Sequence, residues 1–363
     1  MKQIPGFTKG MGIGGWLTNY KRFNVLPDKW RWPITVGDME HFETYITEKD
    51  LDNIVSMGMD HVRVGFDQVV LEEAPYVYRM RIFEILRTFV EQCEVRGLNI
   101  VLNLHKSIGN YCDIKEDVTL FDSKELQDRF VALWLKLEDY FSDKPNVMFE
   151  LLNEVRYDND GWNRLAGRTL AALREKNTSR WIIIGSSQWN SNTTLKDLTL
   201  YDDDRVIYTF HFYAPHEFTH QRSVLQEAPL YYNRSMPYPS DDVERYRDYY
   251  RVVYNNPNPY PGVERIDKEH LRRSLWGAKA FVDEHPDKIL WCGEFGTIRH
   301  ADITSRENWM NDVISLLKEW DIPYSVWNYL STPNDGNRFS LMDDDTRKIL
   351  SPRLLEIIRG NTD

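Results

Sequence analysis

Two glutamates stand at the ends of short apolar runs. Val147-Met148-Phe149-Glu150-Leu151-Leu152-Asn153-Glu154 follows a Lys144-Pro145-Asn146 break and stops in an amide and a carboxylate. Ile289-Leu290-Trp291-Cys292-Gly293-Glu294-Phe295-Gly296 repeats the pattern and stops at Glu294. Apolar runs of this length, bounded by turn residues, read as strands buried on both faces, as in a parallel sheet. A carboxylate at the C-terminal end of such a strand lies where α/β barrels keep their chemistry. Two of them are the minimum equipment for breaking a glycosidic bond, one to protonate the leaving oxygen and one to attack the sugar or activate water.

Other strand ends carry polar residues that could serve the pair. In His61-Val62-Arg63-Val64-Gly65-Phe66, Arg63 alternates with apolar neighbours and so faces a barrel interior, where a guanidinium demands a carboxylate. Glu150 would make that a structural ion pair; a catalytic carboxylate would instead be kept ionised by it. Asn99-Ile100-Val101-Leu102-Asn103-Leu104-His105 ends in His105. Val206-Ile207-Tyr208-Thr209-Phe210-His211-Phe212-Tyr213 places His211 and Tyr213 two apart, on one face of an extended chain. Ile322-Pro323-Tyr324-Ser325-Val326-Trp327-Asn328 carries Trp327. Asn153 and Glu154 are adjacent, so both cannot point inward from a regular strand, and a bulge or a twist has to re-aim one. Glu150 shares a face with Glu154 but lies about 13 Å deeper, at ~3.3 Å per residue, and reads as a buried structural carboxylate.

Between these strands lie helical patterns. One starts at Thr47, with Asp50 in the capping-box position, and ends near Gly58. Others span residues 78–96, 126–141, 162–174, 271–284, 309–320 and 354–358. With strand one at Gly10–Trp16 and strand five at Trp181–Gly185, eight strands alternate with helices. That alternation specifies a (β/α)8 TIM barrel, read as a single domain over residues 1–363 with an insertion subdomain at about 214–266 after strand six. The insertion is rich in Tyr and Pro, and a connection this long is usually functional or carries a subdomain. Pro257-Asn258-Pro259-Tyr260-Pro261 suggests a stiff wall beside the cleft, with most tyrosines packed and one or two on sugars.

Composition narrows the partners. Of 363 residues 13% are aromatic, including 12 Trp and 20 Tyr, which suits stacking on sugar rings as well as filling a large core. A net charge of −11 argues against nucleic acid, whose phosphates need clustered cations. Cys93, Cys112 and Cys292 form no pair at metal or disulfide spacing. The glycines of residues 10–15 lack the G-x-G-x-x-G order of a nucleotide loop. Asp202-Asp203-Asp204 and Asp343-Asp344-Asp345 read as solvated loops, and His216 with His220 as surface residues rather than metal ligands. No run is long and apolar enough for a bilayer, and the start lacks a leader pattern, so the reading is cytoplasmic, or secreted with a leader removed.

The ordered set Gly12-Ile13-Gly14-Gly15-Trp16, Asp60-His61-Val62-Arg63, Leu104-His105, Phe149 to Glu154, His211-Phe212-Tyr213, Gly293-Glu294-Phe295-Gly296 and Val326-Trp327 resembles glycoside hydrolase family 5, and within it the endoglucanase C type. The resemblance spans nearly the whole chain and includes the long insertion. It implies Glu154 as general acid/base and Glu294 as nucleophile of a retaining mechanism. It further implies Arg63 and Tyr213 holding Glu294, Asn153 bonding the sugar 2-hydroxyl, His105 and His211 lining the same subsite, and Trp327 as its stacking floor. It implies a β-linked oligo- or polysaccharide substrate, internal β-1,4 bonds of β-glucan, a monomer, and no cofactor or metal. β-Mannan is the alternative substrate; a non-catalytic oligosaccharide-binding barrel and a metal-dependent barrel hydrolase are the alternative functions. One departure stands out, since the family commonly follows Asn-Glu with Pro where this chain has Val155-Arg156.

Overall fold

The computed structural model describes residues 4–18, 33–111, 117–156, 158–256, 259–333 and 335–360. Eight parallel strands close a barrel in chain order: β1 (Lys9–Leu17), β2 (His61–Asp67), β3 (Asn99–Lys106), β4 (Val147–Glu150), β5 (Ile182–Gly185), β6 (Val206–Phe212), β7 (Ile289–Phe295) and β8 (Tyr324–Val326), with β8 bonded back to β1. The (β/α)8 reading holds. Helices such as Met80–Glu94, Lys124–Phe141, Asn159–Lys176 and Ile303–Glu319 follow the strands and bury their apolar stripes. Among the described residues, no helix is long and apolar enough to cross a membrane.

Alternate residues of each strand fill the interior in layers. The lowest layer is apolar: Val101, Met148, Ile183, Ile207, Ile289 and Trp291, closed from beneath by Phe7. His61 belongs to this floor, stacked on Phe7 at 4.4 Å and bonded through Nδ1 to Asp60 at 2.7 Å. Asp60 also accepts the N–H groups of Thr8 and Lys9, which fastens β1 to the start of β2. Gly10 is level with His61, and a side chain there would enter the imidazole. Above the floor the interior turns polar, with Arg63, Asn103 and Glu150 all fully buried. This inversion, apolar below and charged above, puts the chemistry at the C-terminal ends of the strands.

Several helices differ from the sequence reading at their ends. The Thr47 start stands, with Asp50 accepting the Thr47 N–H at 2.8 Å and its hydroxyl at 2.7 Å. Residues 271–284 form two helices, Lys268–Ser274 and Trp276–Glu284, because Gly277 donates its N–H sideways to Asn192 at 3.0 Å. Apolar periodicity runs through that break unchanged, so it left no trace. The helix expected at 309–320 starts at Ile303, where Asp302 caps the Ser305 N–H at 2.9 Å. Asp344 is no solvated loop residue: it accepts from Arg299 at 2.8 Å and from the Ser331 N–H at 3.0 Å.

The insertion carries three helices, His216–Thr219, Glu227–Tyr232 and Val243–Tyr254, after β6, joined by irregular segments. Pro257 and Asn258 of the proline-rich stretch, like Cys112, lie outside the described residues. Tyr232, Tyr238, Tyr246 and Tyr249 are buried, and rings such as Tyr232 and Tyr249 meet edge to face at 5.1 Å. Tyr238 docks this cluster on the helix Ile303–Glu319, its hydroxyl on Asp312 at 2.7 Å and its N–H on Ser305 at 3.0 Å.

The floor and the polar layer are separable. Gly10→Ala overpacks His61, a change that typically costs about 1–3 kcal/mol. It should lower the urea unfolding midpoint while leaving turnover per folded molecule unchanged; a loss of turnover at unaltered stability would contradict this division.

Candidate active site

Strict alternation would spoil the site on both carboxylate strands. On β7 the inward row runs Ile289, Trp291, Gly293, which turns Glu294 outward. The register corrects this: Cys292 pairs with Phe210 and Tyr324, and the next pairs are Glu294 with His211 and Phe295 with Val326. Gly293 is the extra residue of a bulge, and a Cβ there would lie 2.7 Å from Thr209 Oγ1. On β4 regular pairing stops at Glu150, although Leu151 and Asn153 still donate to Ile183 and Leu104. Glu154 then takes a left-handed φ of 47°. The backbone turn lets Asn153 reach Arg63 while Glu154 reaches His211.

Arg63 lies fully buried at the centre. Its Nε and Nη2 hold the two oxygens of Glu150 at 2.6 and 2.9 Å, Nη2 also donates to Asn153 Oδ1 at 2.7 Å, and Nη1 donates to Glu294 Oε1. One guanidinium is therefore both the structural partner of Glu150 and an anchor of Glu294. Burial alone would weaken this cation, but the charges of Glu150 and Glu294 outweigh it and raise its pKa. Tyr213 donates to the other Glu294 oxygen at 2.9 Å. Burial, then the charge of Glu294, push the Tyr213 phenol well up, so it stays a donor.

His211 joins the two carboxylates, with Nδ1 at 3.0 Å from Glu154 and 3.5 Å from Glu294. Burial pushes its pKa down to about 4, against the pull of Glu294. Its Nε2 receives the side-chain N–H of Asn190 at 3.2 Å, which leaves the proton on Nδ1, pointing at the carboxylates. His105 is likewise held neutral, by burial first. It donates from Nδ1 to Asn103 at 2.9 Å and stacks parallel to Trp327 at 5.6 Å. The glycines of β1 make room for Trp327: a Cβ on Gly12 would lie 2.7 Å from it, and one on Gly14 2.6 Å. That is their role here, in place of a phosphate loop.

Oxygen atoms of Glu154 and Glu294 lie within 4.8 Å of each other and of a His211 nitrogen. Sequence spacing suggested no ligand cluster, yet these three could together hold a cation. Arg63 already supplies positive charge at Glu294. Glu294 is nearly buried, with 5% of its side chain exposed, whereas Glu154 exposes 20%. The pair thus combines one carboxylate fixed by cation and phenol with one that meets solvent beside a negative neighbour, an arrangement suited to a nucleophile and an acid.

Sequence reasoning missed Trp189 and Asn190. Gln188, Trp189 and Asn190 all adopt left-handed φ, 51°, 57° and 55°, just past β5. Each such residue costs roughly 1–2 kcal/mol, offset here by the Asn190–His211 bond and by the Trp189 N–H on Val155 O at 2.9 Å. The indole stays 40% exposed beside the Glu154 loop. Their only sequence signal is position, a Trp-Asn pair at the C-terminal end of a barrel strand. His216 and His220 stack face to face at 4.1 Å, and His220 packs on Tyr213, so they border the site.

Residues 28–332 match the family described as cellulase (glycosyl hydrolase family 5). The chain is 37% identical to endoglucanase C of Acetivibrio thermocellus, with 98% of each chain covered. It is 32% identical to cellodextrinase A of Ruminococcus flavefaciens over 85% of this chain and 80% of that one. The solved structures of Thermotoga maritima Cel5A with cellobiose and with mannotriose overlay with a TM-score of 0.73, at 23% identity and 97% coverage of both chains. At that identity the likeness is one of fold.

Arg63→Lys tests the hub. Lys offers a point charge where a planar fork serves four oxygens, and breaking a buried pair costs about 3–5 kcal/mol. Chemical denaturation should show a loss of that size together with a fall in turnover; a variant of wild-type stability would remove Arg63 from the centre of the fold.

Proposed function

The chain belongs to glycosyl hydrolase family 5, the cellulase family, and from that premise we propose that it hydrolyses internal β-1,4 bonds of β-glucan with retention, Glu294 attacking and Glu154 serving as acid and base. The observation that supports retention is that one oxygen of Glu154 and one of Glu294 lie within 4.8 Å of each other. Retaining pairs lie about 5–5.5 Å apart, and inverting pairs about 6.5–9.5 Å, to leave room for water. The substrate class, cellulose-type or mixed-linkage glucan, follows the relatives' naming. β-Mannan remains the second reading, since the related barrel solved with mannotriose is a neighbour in fold.

In the first step an oxygen of Glu294 attacks the anomeric carbon while Glu154 gives its proton to the leaving oxygen, producing a glycosyl ester. In the second, Glu154 as carboxylate takes a proton from water, whose oxygen displaces Glu294 and restores the β configuration. Arg63 and Tyr213 hold one oxygen of Glu294 each and so aim it. In this reading Asn153, held by Arg63, bonds the sugar 2-hydroxyl, and His105, His211 and Trp327 line the same subsite. We assign the leaving sugar to Trp189, because its N–H bonds the carbonyl of Val155, next to Glu154, and its indole is 40% exposed. Residues 1–363 act as one catalytic unit, and a monomer suffices, since both carboxylates and their partners come from one chain.

The assigned roles differ in what each variant should lose. Glu294→Ala should abolish turnover in a folded protein, with azide yielding no β-configured product. Glu154→Ala should lose about 10²–10⁴-fold on natural sugars, far less on aryl glycosides with activated leaving groups, and regain rate with azide. Equal losses on every substrate would undo this division of roles, and chelators should leave the wild type unaffected. Trp189→Ala should raise KM for cello-oligosaccharides while sparing dinitrophenyl cellobioside, which puts no sugar on the leaving side. A panel of β-glucans, mannan and xylan, read by product analysis, decides the substrate; preference for mannan would replace the glucan assignment.

A further inference from the structure

One buried acid plays no part in this chemistry. Glu217 is 1% exposed, and none of the ion pairs among the described residues includes it. Its carboxylate accepts instead from two phenols of the insertion, Tyr260 on Oε1 and Tyr250 on Oε2 at 3.4 Å. Tyr246 completes the surround, packed edge to face on Tyr260 at 6.3 Å. Burying a carboxyl without a cation is costly, and two neutral donors offset that only in part. Burial accordingly pushes Glu217 up to about 7. An apolar residue would fill the same space without that cost, so the group calls for a purpose.

Its position supplies one. Glu217 sits on the single turn His216–Thr219, directly after β6 and Tyr213. From that turn Thr219 Oγ1 donates to the Tyr213 carbonyl at 2.6 Å, and Trp309 Nε1 to the Ala214 carbonyl at 3.0 Å. Thr219 O receives the N–H of Ile298, in the loop that leaves Glu294. The Tyr213 ring is held between His220 at 5.1 Å and Phe339 at 5.8 Å, and its hydroxyl donates to Glu294. Insertion, Glu217, turn, Tyr213 and Glu294 form one unbroken series of contacts.

We propose that Glu217 is a positioning residue through which the insertion holds Tyr213 against Glu294. The proposal rests on the reading of Glu294 as nucleophile. A hydrogen bond donated to a carboxylate favours its charged form, so loosening Tyr213 should move the acid limb of kcat/KM to higher pH. A residue that merely braces the insertion would leave that limb where it is.

The test is a double-mutant cycle on full-length protein with dinitrophenyl cellobioside. Glu217→Gln and Tyr213→Phe should each lower kcat/KM several-fold and move the acid limb to higher pH. The double variant should match Tyr213→Phe alone, because Glu217 acts only through that phenol. If Glu217→Gln does not fold, Tyr250→Phe with Tyr260→Phe takes its place, removing the donors and keeping the carboxyl. Losses that multiply, or an acid limb unmoved by the Glu217 change while Tyr213→Phe moves it, overturn the proposal and leave the nucleophile standing. A limb unmoved by Tyr213→Phe as well removes both.

Discussion

One guanidinium sets the terms for the rest of the barrel. Arg63 gives four of its five N–H groups to Glu150, Asn153 and Glu294, all buried. Taking such ions out of water costs several kcal/mol each, and only near-ideal geometry repays it. The geometry needs β2, β4 and β7 at fixed heights, because the partners come from all three. The apolar floor supplies that: packed side chains from five strands, with Phe7 beneath, hold the strands in register below the charged layer. Glu150, which takes two of the four bonds, keeps the guanidinium oriented for Glu294.

The sequence was most legible where a rule of period two applies. Arg63 lies between valines on a run that alternates, and His211 and Tyr213 are two apart at a strand end, so their faces could be read. Legibility ended where the backbone departs from regularity. Glu294 points inward because Gly293 is an extra residue in β7, and Asn153 can reach Arg63 beside Glu154 because the chain leaves regular pairing after Glu150 and turns with a positive φ at Glu154. An isolated glycine within a strand was the available signal for the first. For the second the adjacency of Asn153 and Glu154 required some irregularity without specifying which. The helix break at Leu275 and the ion pair of Asp344 depend on distant partners, Asn192 and Arg299, that no local pattern encodes.

The insertion illustrates how composition misleads about shape. Its prolines suggested an extended wall, yet the described part carries three helices, and the tyrosines form a core of edge-to-face rings. Tyr serves here as a large apolar residue whose hydroxyl can still find a partner on a neighbouring element, Asp312 for Tyr238 and Glu217 for Tyr260. Such rings give a small helical unit enough buried area to order and, through their hydroxyls, fixed points of attachment to the barrel.

The hydrogen bond from Asn190 to His211 has a consequence for proton traffic. Neutral His211 has its Nε2 occupied by an amide that cannot release its proton, so the ring passes nothing onward to the interior. It is a terminus, not a wire. Glu154, which gives up and regains one proton in each cycle, has a fifth of its side chain open to solvent for that exchange, and His211 does not carry the proton further inward.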